Sequence, residues 1–61
     1  MLNQQRKVLR SVRIANGLTQ GKIAARIGVS RAVISEWERG RSVAKWDKLC
    51  AVLPELEEYR P

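Results

Sequence analysis

Apolar residues recur along the chain at steps of three and four, and single glycines interrupt them. Leu2, Leu9 and Val12 share one helical face, with Gln5 between the first two. Arg6, Lys7, Arg10 and Arg13 occupy much of the remaining surface, as on an amphipathic helix. This first helix is expected to end before Gly17, a residue that accepts the left-handed closing conformation. Leu18 and Thr19 open the next. The Thr19 hydroxyl can accept from free backbone amides, and Leu18 and Ile23 flank it at the spacing of a hydrophobic staple. Ile23, Ala24 and Ile27 form the inner face, and Gly28 stops the helix.

The same device then repeats. Val29 precedes a second cap, Ser30, and Ile34 lies four residues past it. Ile34 and Trp37 face inward, Val33 sits at the edge, and Gly40 ends the segment. Two short, stapled helices joined by a tight turn describe a helix-turn-helix over residues 20–39. The break sets a steep angle between them, so that the helix over 31–39 can project from the body. A fourth helix carries Trp46, Leu49, Cys50 and Leu53. Pro54 blocks its continuation but is tolerated in the first turn of a new helix. Leu56 and Tyr59 leave room for a short final turn or fifth helix. The expectation is an all-α fold, a compact domain of four to five helices spanning residues 1–61, with no linker, repeat or low-complexity tract.

The chain has 61 residues, and a domain of that size buries only about 60% of the surface its unfolded form exposes. Extra support does not come from disulfides, because Cys50 is the one cysteine. With no histidine either, no metal site is expected, and nothing suggests a cofactor. Tight helix packing or self-association remains. No apolar run approaches a membrane span, and the N-terminus lacks the apolar stretch of a signal peptide. A cytoplasmic location, in a bacterial cell or phage-infected host, is therefore expected.

The net charge is +6, and its distribution says more than its total. Residues 1–35 carry Arg6, Lys7, Arg10, Arg13, Lys22, Arg26 and Arg31 and no acid, for +7. All the acids come later, with Arg39, Arg41, Lys45, Lys48 and Arg60, and leave the remainder at −1. Such asymmetry fits a polyanionic partner, though a basic surface kept for solubility has the same signature. An enzyme is not expected: there is no histidine, no suggestive carboxylate pair, no glycine-rich phosphate loop, and no small-molecule substrate to infer.

The stretch GLTQGKIAARIGVSRAVISEWERG resembles the helix-turn-helix of the Xre and Cro family, which includes the lambda-type phage repressors. Leu18-Thr19-Gln20, Ala24, Gly28-Val29-Ser30, Ile34-Ser35, Trp37-Glu38 and Gly40 carry the likeness. Upstream, Leu9, Val12 and Arg13 stand where the family places first-helix core residues and an arginine. The match covers roughly residues 9–53. Three features depart from the family pattern: Gly21 inside the second helix, Ala44 at a position that is often proline, and a short C-terminal part broken by Pro54.

The resemblance implies a lambda-repressor-like fold and a sequence-specific regulator binding double-stranded DNA. Base contact falls to Arg31, Ala32 and Glu36, with Ser35 a further candidate, on the same exposed face as Ser30. The chemistry suits these roles. Arginine can pair with guanine through two hydrogen bonds, a glutamate can accept from cytosine, and an alanine can pack on a thymine methyl. An ordinary solvated helix face is the alternative for each. Near phosphates, Glu36 also needs a cytosine or a basic neighbour to offset repulsion. The resemblance makes Gln20 a phosphate clamp at a helix start. Ser30, Arg39, Arg41, Lys22 and Arg10 are further candidate phosphate contacts, and each could equally be solvated. Arg13 and Glu38 are expected to pair across the first and third helices in a structural role. Trp37 and Trp46 are expected in the core, not as stacking platforms.

With no room for a sensor domain, the reading is a Cro-like phage repressor acting as a homodimer on a palindromic operator. The dimer contact is expected at Arg41 to Lys45 and the C-terminal segment with Leu56 and Tyr59. An antitoxin or restriction-modification controller of the same fold, or a protein-interaction module without base readout, remains open at this point.

Overall fold

The computed structural model describes residues 3–60. Within them lie four α-helices: α1 (Asn3–Ala15), α2 (Gln20–Ile27), α3 (Arg31–Glu38) and α4 (Trp46–Val52). A 3-10 helix, Pro54–Tyr59, follows with proline in its first turn. No strand occurs among the described residues, and the fold is the expected all-helical one. The expectation for Leu2 lies outside the described residues, as does that for the side chain of Gln5.

The local signals account for each boundary. Thr19 accepts the Lys22 amide at 3.1 Å and Ser30 accepts the Val33 amide at 3.4 Å, so both helices of the helix-turn-helix start on a side-chain cap. Gly28, at φ 87°, closes α2, with its own amide and that of Val29 both donating to the Ala24 carbonyl. Only a residue without a Cβ adopts that conformation at no cost. The chain then needs just Val29 and Ser30 before α3 begins. The α3 helix closes similarly: Gly40 donates to the Trp37 carbonyl and Arg41 to that of Glu36, the paired pattern of a left-handed closing turn.

Leu9, Ile23, Ile34, Leu49 and Leu56 are fully enclosed, and Trp37, Trp46, Leu53 and Cys50 complete the core around them. Leu18 belongs to the same cluster, and Val12, Ile27, Val29 and Val33 pack against it. Trp46 is held at both ends. Its ring fills the core, and its indole N–H donates to the Leu56 carbonyl at 3.0 Å, tying α4 to the 3-10 helix.

One expectation is corrected. Leu56 is fully enclosed, so it offers no surface to a second copy. Its side chain completes the core beneath α1 and α4, where a domain this small has few large apolar residues to draw on. Tyr59 keeps 36% of its surface exposed and Val43, between α3 and α4, keeps 76%.

Candidate nucleic-acid interface

The second helix of the pair stands at the surface. Arg31 and Ala32, on its first turn, are exposed, and the Arg31 side chain has no hydrogen bond or ion pair among the described residues. Its aliphatic stem runs past Gly21, where an added Cβ would lie 4.0 Å from Cδ. The first backbone amides of each helix that the cap does not satisfy have no partner within the helix, a setting that favours anions.

A concavity of about 560 Å³ opens between α1, α2 and α3. Arg10 and Arg13 line it from α1 and Gln20 from α2. Arg31, Ala32, Ser35, Glu36, Glu38 and Arg39 come from α3 and its end. The fold thus gathers most of the residues singled out in the sequence around one basic recess. Lys22, Ser30 and Arg41 lie outside its lining. Ser30 spends its oxygen as the α3 cap but keeps its O–H for donation.

The floor of the recess is an ionic network. Arg13 donates from Nε to Glu38 Oε2 at 2.6 Å and from Nη2 to Oε1 at 3.1 Å. Its remaining fork nitrogen, Nη1, donates to the Leu18 carbonyl at 2.8 Å. Arg13 therefore joins α1 to the end of α3 and to the entry of α2, nearly out of solvent. Gln20 adds a third donor to Glu38, from Nε2 at 3.1 Å. That bond orients the Gln20 amide and leaves it one further N–H for an outside acceptor.

Glu36 has a basic neighbour within the chain. Arg41 Nη1 stands 4.0 Å from its Oε1, both groups substantially exposed. A contact so long and so solvated contributes little to stability. Its effect is local: it offsets the acid on the face that carries Arg31.

Arg6 belongs to this surface as well, although its own position in the sequence does not mark it. Its Nη1 donates to the Arg39 carbonyl at 2.7 Å, at the end of α3. The signal was the spacing of Arg6, Arg10 and Arg13, which puts three arginines on one helical stripe. A separate ionic cluster lies on the C-terminal elements, where Arg60 donates to Glu57 at 2.9 Å and to Asp47. None of these three residues lines the recess. No group of residues among those described is placed to hold a metal ion, and no helix is long and apolar enough to cross a membrane.

Two capped short helices, a glycine turn between them and a basic recess at the start of the second define a helix-turn-helix DNA-binding domain. The chain belongs to the helix-turn-helix family, whose model matches residues 9–58. It is a domain of the Xre and lambda-repressor type, the DNA-binding part of a transcription regulator, and that family is generally non-enzymatic. Comparison with curated proteins gave no match, and comparison with solved structures gave none either.

Proposed function

We propose that this chain is a Cro-like phage repressor that occupies a palindromic operator as a homodimer, with α3 in the major groove. Arg31 reads guanine through paired hydrogen bonds, and Ala32 and Ser35 contact neighbouring base edges. Glu36 accepts from a cytosine amino group or rejects sequences that lack one. Gln20, Ser30, Lys22, Arg10, Arg39 and Arg41 hold the flanking phosphates. The observation that carries this reading is Arg31, exposed at the start of α3 with no side-chain partner among the described residues.

The geometry of two-fold sites supports the dimer reading. Recognition helices in a two-fold complex lie about 34 Å apart. The Cα envelope of one chain measures only 23 × 22 × 18 Å, so two copies meet at their edges. The loop from Arg41 to Lys45, with the exposed Val43, is the proposed contact. An interface this small leaves the free chain a monomer or weak dimer that assembles on DNA.

Selection of bound duplexes from a random pool tests the whole reading. A palindromic consensus bound by two chains is the expected result. Enrichment of no sequence, with binding that depends on salt alone, would overturn base readout.

A further inference from the structure

Two arginines of α1 reach the end of α3, and the Arg13–Glu38 pair accounts for only one of them. Arg6 donates to the Arg39 carbonyl at 2.7 Å. The last carbonyls of a helix carry its negative dipole end and have no partner within the helix, so a cation from another element suits them. Arg6 also lies against Gly40. A Cβ built there would stand 3.1 Å from Arg6 Cδ and 3.3 Å from Nη1, tighter than ordinary contact. Glycine at this position therefore does two things. It takes a φ of 72° to close α3, and it leaves room for the arginine.

The two holds act as a pair. Arg6 and Arg13 lie two turns apart on α1, roughly 10 Å along its axis, with the fully enclosed Leu9 between them. They grip adjacent residues of the other chain segment, Arg39 and Glu38. One anchor alone leaves a pivot; two separated anchors fix the angle between α1 and the end of α3. We propose that Arg6 is a positioning residue for the DNA-reading helix, setting the direction in which α3 projects and, with it, the placement of Arg39 and Arg41. The functional half of this rests on α3 being the groove-facing helix; the hold on Arg39 and Gly40 does not.

The contrasting role for a half-buried arginine here is direct neutralisation of a phosphate, and the experiment separates the two. Arg6→Ala and Arg6→Lys are made in the full chain, and amide hydrogen exchange is followed at Arg39, Gly40 and Arg41, whose N–H groups close the turn. In Arg6→Ala these three amides should exchange about threefold to tenfold faster, the value of one ordinary hydrogen bond. The Leu53 amide, in the core, should be unchanged, and lysine should restore part of the protection. Binding to the selected duplex and to a scrambled one is then compared across salt. Positioning predicts that the ratio of the two affinities falls about threefold to tenfold, with the salt slope unchanged. Unchanged exchange at residues 39–41 would overturn the hold. A salt slope lowered by about 0.9 with an unchanged ratio would make Arg6 a phosphate ligand instead. If no duplex is selected, the operator reading fails, and the exchange measurement alone still decides whether Arg6 holds the end of α3.

Discussion

Glu38 and Arg13 meet edge to edge, with two hydrogen bonds between carboxylate and guanidinium, in a site where each side chain keeps little of its surface. Neither group is tolerable there alone. Replacing one partner strands the other as a desolvated charge, which costs about 3–5 kcal/mol. A domain of this size has roughly that much stability in total. Arg13→Ala and Glu38→Ala are therefore expected to be largely unfolded near 37 °C, as read by urea titration followed by circular dichroism. The paired change Arg13→Met with Glu38→Leu should recover most of the loss. The double variant behaving as the sum of the singles would show that the pair is not coupled.

Gly21 invites the opposite experiment. It sits on the first turn of α2 without a left-handed φ, and an added Cβ meets nothing closer than Thr19 Oγ1 at 3.9 Å. Gly21→Ala should stabilise the fold by about 0.5–1 kcal/mol, chiefly by restricting the unfolded chain. A rise in Tm of roughly 2–8 °C is the expected reading. Gly28→Ala is the control. Its Cβ also meets no atom within 4 Å, but its φ of 87° makes the same substitution destabilising. Equal signs for the two variants would mean that backbone conformation is not what separates them.

The contrast between these glycines shows what was readable in advance. Caps, staples and closing glycines are local, so Thr19, Ser30, Gly28 and Gly40 announced the helix-turn-helix from the sequence. Contacts between distant segments left weaker traces. The Arg13–Glu38 pairing came from family resemblance, because no spacing along the chain relates residues so far apart. Gln20 as a third partner of Glu38 and Arg6 at the end of α3 depend on how α1 crosses the other two helices. The burial of Leu56 is hidden in the sequence for the same reason. A leucine after a proline in a charged tail resembles a surface residue until α1 and α4 are seen to close over it.

Cys50 and Glu57 give the fold an alkaline sensitivity. Burial pushes the Cys50 thiol above its ordinary value of 9.0, and its hydrogen bond to the nearby Glu57 carboxylate adds to the shift. Glu57 is held below the usual carboxylate range, mainly by its hydrogen bonds from Arg60 and then from the thiol. The unfolded thiol ionises near pH 9 while the folded one keeps its proton. Over that interval the folded state binds more protons, so stability falls as pH rises. It is fully present below pH 9.0 and is lost through the raised folded value. Urea midpoints between pH 7 and 10.5 should decline more steeply for the native chain than for Cys50→Ala. Parallel declines would remove the thiol from the account.

Arg31 and Arg39 stand at opposite ends of α3, and DNA binding should tell them apart. Arg31 is on the first turn, where side chains of a groove-bound helix reach base edges. Arg39 follows the last turn, and in the proposed complex it would lie beside the backbone that flanks the groove. Loss of a paired contact to guanine costs about 1–3 kcal/mol at one base pair and relaxes the preference there. Loss of a phosphate contact weakens all sequences alike and lowers the salt slope by about 0.9. Arg31→Ala should therefore flatten one position of the selected consensus in each half-site. Arg39→Ala should preserve the consensus while reducing affinity and salt dependence together. Both variants should keep the fold, because neither side chain forms an ion pair or hydrogen bond among the described residues. If Arg31→Ala selects the same consensus as the native chain, Arg31 is not a base-reading residue and the proposed readout from the first turn of α3 fails.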